Sequence, residues 1–114
     1  MYILDKIVAH KKKEVQKNKQ VIPTALLEES IHFSTPTVSL CKYLLRSDKQ
    51  GIIAEFKRKS PSRPDINLFA DVEEVSIGYM QAGASALSIL TDSHFFGGSN
   101  DDLKTARKFN FAYP

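Results

Sequence analysis

The chain has no tryptophan, a single cysteine, and no apolar run longer than four residues. Each shortage excludes something. Cys41 has no partner for an intramolecular disulfide, so cross-links cannot staple the fold, and a reducing compartment, the cytoplasm, is the expected location. Runs such as Ile52-Ile53-Ala54 fall far short of the about 20 apolar residues needed to cross a bilayer, so no membrane span is expected. The start, Met1-Tyr2-Ile3-Leu4-Asp5-Lys6, lacks the basic lead and apolar centre of a secretory signal. Five prolines and five glycines in 114 residues are too few for a collagen-like or low-complexity chain. What is present is ordinary globular material, 42% apolar and 25% charged, which argues against disorder. A chain of this length can bury a core without a structural metal.

The net charge of +3 is unevenly spread. Residues 1–49 carry nine Lys and Arg against five Asp and Glu, whereas residues 50–114 carry seven against eight. A basic first part is compatible with nucleic acid or an anionic surface. Here Lys11, Lys12, Lys13, Lys17 and Lys19 alternate with Ile7, Val8 and Val15, and no aromatic residue stands among them to stack on bases. That is the pattern of a solvated helix face, and nucleic-acid binding is not expected.

Two grammars divide the chain. In residues 1–49, Ile3, Leu4, Ile7, Val8, Lys11 and Val15 follow the spacing of one helical face and predict a helix over residues 3–19. Thr24 is placed to cap a short helix through Ser30, and Leu40, Tyr43, Leu44 and Leu45 mark another within residues 39–45. From residue 50 the pattern changes. Gly51–Lys57 reads as a short β-branched strand, Ser60–Pro64 as a loop, and Asp71 as the start of a helix that stops at Gly83. Ala86–Thr91 reads as a second buried strand and Asp92–Gly98 as a loop. Ser99 with Asp102 three positions on makes a capping-box start for a helix carrying Leu103, Ala106 and Phe109. Phe111–Pro114 reads as the approach to a further strand. The order β-α-β-α implies parallel strands with helices on their faces, and in such folds the chemistry collects at the carboxyl ends of the strands. That places the candidate site in residues 55–63 and 91–99.

Glu55 and Lys57 lie two apart at a strand end, so both side chains share one face while Phe56 takes the other. An acid and an amine held together in a partly desolvated site tune each other and bind anionic ligands; an exposed surface ion pair is the plainer alternative. Ser60-Pro61-Ser62 offers two hydroxyls on a stiffened backbone, ringed by Lys57, Arg58, Lys59 and Arg63, although a Ser-Pro turn is also ordinary turn chemistry. Gly97-Gly98-Ser99 resembles the start of an anion-binding turn but lacks P-loop or dinucleotide spacing, and a serine-capped helix start accounts for it. Phe95 and Phe96 in the same loop could wall an aromatic ligand or pack over the rim. His10, His32 and His94 are scattered and not at ligand spacing with Cys41, so no metal site is expected.

Ile53-Ala54-Glu55-Phe56-Lys57-Arg58-Lys59-Ser60-Pro61-Ser62 resembles the first-strand signature of the indole-3-glycerol phosphate synthases. Ala82–Asp92 followed by Phe95-Phe96-Gly97-Gly98-Ser99 is similar to that family's second strand and loop, and the helical preface is similar to its N-terminal extension. The resemblance implies the N-terminal part of a TIM (β/α)8 barrel: a helical extension over residues 1–49, then over 50–114 the first two βα units and the start of a third strand. It also implies a decarboxylating, dehydrating ring closure of 1-(2-carboxyphenylamino)-1-deoxyribulose 5-phosphate to indole glycerol phosphate, in tryptophan biosynthesis, without metal or organic cofactor. By resemblance Glu55 and Lys57 are catalytic, the carboxylate orienting lysines and the amine holding the anionic substrate and assisting proton transfer. Ser60, Pro61 and Ser62 line the region of the substrate carboxylate and aryl ring, and Phe96 packs on that ring.

Two departures qualify the implication. The family has Lys-Gly after Ser-Pro-Ser, whereas Arg63-Pro64 stands here, keeping the charge but restricting the loop. The family's general-acid lysine is on its third strand, and its phosphate-binding loops come later. A (β/α)8 barrel takes about 250 residues, so these 114 are expected to be an N-terminal piece, inactive alone. The alternative is a non-catalytic barrel fragment that self-associates or pairs with a complementary chain.

Overall fold

The computed structural model describes residues 2–110. By compactness the chain divides into Met1–Val38 and Ser39–Pro114. The first unit contains α1 (Ile3–Val21) and α2 (Thr24–Glu28). Helix α1 runs two residues past the expected end at Lys19, and the Ile22 N–H closes on the Asn18 carbonyl. Thr24 is not the cap of α2. It is the helix's first residue, and Pro23 takes the cap position without a side-chain bond, because proline's fixed φ suits a helix start.

The second unit holds α3 (Leu40–Leu45), β1 (Ile53–Phe56), α4 (Val72–Gln81), β2 (Ala86–Ile89) and α5 (Asn100–Asn110). Ser39 caps α3 by accepting the Lys42 N–H at 3.2 Å. Asp71 caps α4, its Oδ1 accepting the Glu73 N–H at 3.0 Å. Helix α4 ends where Gly83 takes φ +95°, a conformation that side chains resist. Ser99 and Asp102 form the expected capping box: the Asp102 N–H donates to Ser99 Oγ at 3.3 Å, and the Ser99 N–H to Asp102 Oδ2 at 3.1 Å. The stretch 111–114, read as the approach to a further strand, lies outside the described residues.

The strands pair in parallel, with Ile53 opposite Ala86, Glu55 opposite Ser88 and Phe56 opposite Ile89. Both are shorter than their apolar runs suggested, as hydrogen-bonded pairing extends only over four residues of each. On one face Phe56, 3% exposed, packs with Val72 of α4 and Ala106 of α5, with Ala70, Val75 and Ile89 around them. Beneath this apolar centre, Asn110 Nδ2 donates to Ser76 Oγ at 3.1 Å and to the Ala106 carbonyl at 2.7 Å, tying α5 to α4. The other face of β1 carries Ile53, which is 50% exposed. The carbonyls of Ile52 and Phe56 bond to the β2 side. Alternation aims the Glu55 carbonyl at the outer edge, where it accepts from the Tyr79 hydroxyl at 3.2 Å. This β-α-β-α arrangement on a parallel pair matches what is expected of the first two βα units of a TIM barrel. Among the described residues no helix is long and apolar enough to cross a membrane.

Candidate active site at the strand ends

The alternation of β1 sends Phe56 into the helix-covered core and leaves Glu55 and Lys57 on the opposite face, as the spacing predicts. Lys57 Nζ lies 3.7 Å from Glu55 Oε1, and the two side chains are 39% and 48% exposed. In-register pairing brings a third group: Ser88 Oγ donates to Glu55 Oε2 at 3.4 Å. Ser88 was not singled out in the sequence, although a hydroxyl in the middle of an apolar strand is the signal that could have found it. The carboxylate therefore has an ammonium on one oxygen and a hydroxyl on the other.

After β1 the chain turns back on itself. The Ser60 N–H donates to the Arg63 carbonyl at 2.9 Å, and the Arg63 N–H returns to the Ser60 carbonyl at 3.1 Å. Ser60 Oγ also accepts the Arg63 N–H at 3.1 Å and lies 3.2 Å from Ser62 Oγ. Both polar backbone groups of Arg63 are thus used before Pro64, and the restriction proline imposes falls outside the closed turn. A second closure, from the Asn67 N–H to the Arg58 carbonyl at 2.9 Å, completes the loop. Ser60 is half-buried, and Pro61 and Ser62 are exposed.

Arg58 was grouped with the positive charge around Ser60–Ser62. Its guanidinium points elsewhere. It donates to both carboxylate oxygens of Asp102, at 2.5 and 3.0 Å, and also to the Ala70 carbonyl at 3.1 Å and the Gly97 carbonyl at 3.1 Å. It also lies 4.9 Å from the centre of the Phe56 ring. The hydrogen bond from Arg58 holds the Asp102 carboxyl below the usual carboxylate range, with partial burial acting the other way. The same bond raises the guanidinium's pKa. This cation is committed to structure, so Lys57, Lys59 and Arg63 remain to face an anion at this end.

The loop after β2 explains both glycines that precede α5. Gly97 has φ +69° and sits against the Lys59 and Arg58 side chains, so a Cβ there would lie 3.3 Å from Lys59 Cγ. Gly98 crosses the Leu90 carbonyl so closely that a Cβ would stand 1.8 Å from that oxygen. Through Gly97 the loop carrying Phe95 and Phe96 abuts the loop carrying Ser60–Ser62. Both aromatics are half-buried. The structure thus brings Glu55, Lys57 and Ser88 into contact and sets Ser60–Ser62 and Phe96 on two adjoining loops at the same strand ends. Such an assembly offers cations, hydroxyl donors and an aromatic surface, the components needed to hold an anionic, ring-bearing molecule.

Comparison with known proteins bears on the same residues. The family model described as Indole-3-glycerol phosphate synthase matches residues 4–112. A protein of Bacteroides thetaiotaomicron with that name is 50% identical over 105 residues, covering 92% of this chain and 40% of its own length. One from Bacillus cereus strain AH187 is 46% identical over 108 residues, 93% of this chain and 38% of its own. One from Syntrophobacter fumaroxidans is 41% identical over 106 residues, 91% of this chain and 40% of its own. The chain thus spans about 40% of the length of the curated relatives it matches.

Proposed function

The chain belongs to the indole-3-glycerol phosphate synthase family, and from that premise we propose that residues 50–114 supply the first two βα units of the active site of an enzyme that closes the indole ring, with residues 1–49 as its helical extension. The substrate is 1-(2-carboxyphenylamino)-1-deoxyribulose 5-phosphate, a phosphorylated small molecule, and the products are indole glycerol phosphate, carbon dioxide and water. The enzyme works in the cytoplasm and binds neither nucleic acid nor membrane.

The chemistry asks for specific help. A bond forms between the carboxyl-bearing ring carbon and the substrate's carbonyl carbon, whose oxygen needs a proton as it does so. Carbon dioxide then leaves, and the new hydroxyl departs as water. Lys57 holds the anionic substrate and assists these proton movements, and Glu55 orients it from 3.7 Å. Ser60, Pro61 and Ser62 line the region of the substrate carboxylate, and Phe96 packs on the aryl ring. The observation that carries this reading is the Glu55–Lys57–Ser88 contact on the face of the sheet opposite Phe56, at the end where both loops meet.

The test is turnover in the natural protein that contains these residues. Glu55→Gln and Lys57→Met are each expected to lower kcat by about 10²- to 10⁴-fold, the usual worth of a positioned acid–base group. Normal turnover in both variants removes the assigned roles. A second reading is favoured by the exposed face of β1: a non-catalytic barrel fragment that self-associates or pairs with a complementary chain. Its signature is a defined oligomer or complex without turnover.

A further inference from the structure

We propose that Asp92 is a positioning residue that fixes the aromatic wall of this site, by closing the loop that carries Phe95 and Phe96 at both of its ends. The inference rests on the function proposed above and adds a residue which that reading does not use. Asp92 follows β2 and is only 8% exposed, an unusual location for a carboxylate with no part in the apolar core. Its Oδ2 accepts the Phe95 N–H at 2.6 Å, and its backbone carbonyl accepts the Gly98 N–H at 2.8 Å. Between these two, the Gly97 N–H donates to the Ser93 carbonyl at 3.1 Å. One residue therefore holds the start of the turn with its side chain and the end with its main chain, and both phenylalanines lie inside the closure.

The far side of the loop is anchored as well. Arg58 donates to the Gly97 carbonyl, and Arg58 adjoins Lys57 on the chain. Phe96 is thereby held at a set place relative to Lys57, with Asp92 securing the loop internally and Arg58 securing it to the first strand. Removing the acceptor of the Phe95 N–H loosens the start of the segment that carries the aromatic pair, while the main-chain closures at Gly97 and Gly98 and the bonds of the Ser60 turn stay in place. The consequence belongs to recognition of the aryl end of the substrate rather than to proton transfer.

The experiment uses the natural protein that contains these residues. Asp92→Ala removes the side-chain acceptor, and the Michaelis constant and the dissociation constant for anthranilate, titrated directly as the aryl part alone, are expected to rise about tenfold. The kcat is expected to stay within about twofold and inhibition by inorganic phosphate to stay unchanged, because neither depends on the aromatic wall. Asp92→Asn keeps an oxygen at the Phe95 amide and is expected to restore both constants. Amide hydrogen exchange at Phe95 rises in Asp92→Ala and not in Asp92→Asn. Should Asp92→Ala fail to fold, Asp92→Glu takes its place, since the extra methylene moves the carboxylate off the amide while keeping its charge. Unchanged anthranilate affinity in Asp92→Ala or Asp92→Glu, loss of affinity in Asp92→Asn, or a fall in kcat alone overturns the proposal. A parent protein without turnover overturns the function above, and the anthranilate titration with the Phe95 exchange still decides on Asp92.

Discussion

Arg58→Met tests the junction between the two loops. The substitution keeps an unbranched apolar stem and removes every guanidinium hydrogen bond. It strands the Asp102 carboxylate, 11% exposed, with the Ser99 N–H as its remaining partner in the capping box, and it leaves the Ala70 and Gly97 carbonyls without this donor. Breaking a fully buried pair costs about 3–5 kcal/mol. The Arg58 side chain retains 18% exposure, so water can reach part of the gap, and the expected loss is about 2–3 kcal/mol, a large share of a typical folding free energy. The double variant Arg58→Met with Asp102→Leu is expected to be less damaged than Arg58→Met alone, because no charge is then left unpaired. The pair also predicts a pH dependence. Asp102 titrates lower folded than unfolded, so its contribution is complete above the unfolded value of about 4 and drains away as pH falls through the folded value. Arg58 stays charged throughout that range and adds no slope. Urea denaturation followed by far-UV circular dichroism at pH 7, 5 and 3 should therefore show a steeper acid loss in the parent than in Arg58→Met. A cost below about 0.5 kcal/mol, the scale of an exposed pair, or an identical acid slope in both proteins, would refute the reasoning.

Substitutions at three further positions probe the local geometry. Gly98→Ala is expected to cost about 2–4 kcal/mol or to displace the loop, since the new Cβ meets the Leu90 carbonyl at 1.8 Å and backbone cannot yield as a side chain can; Gly97→Ala, strained mainly by its φ of +69°, should cost about 1–2 kcal/mol. Thermal unfolding of the two variants side by side checks the order. Asp71→Ala removes the acceptor of the Glu73 N–H at the start of α4 and should cost about 1 kcal/mol, read from the shift in denaturation midpoint, while Asp71→Ser should recover most of it.

What could be read along the chain was whatever is settled by neighbours in sequence. Period-two alternation placed Glu55 and Lys57 opposite Phe56, because successive side chains of a strand point to opposite faces. The helix starts at Asp71 and Ser99 were legible because a helix start is satisfied by residues two or three positions away, whereas the cap expected at Thr24 falls on Pro23 and the cap at Ser39 shows only in the structure. The blocks around residues 53–62 and 82–99 carried the family, since a run of specific residues needs no three-dimensional information to be matched. Contacts across 33 to 44 positions were beyond that reach. Ser88 joins Glu55 only because the register sets residue 88 beside residue 55. Arg58 reads as one more cation in a basic loop until folding of α5 against β1 delivers Asp102 to it, which converts an apparent anion-binding charge into a structural tie. The two adjacent glycines read as a helix-start turn, yet one is demanded by its φ and the other by the passing Leu90 carbonyl. Alternation, capping and motif are local rules that the residues obey by themselves. Register, ion pairing and close backbone approach depend on where distant segments are brought, and tertiary structure alone decided those.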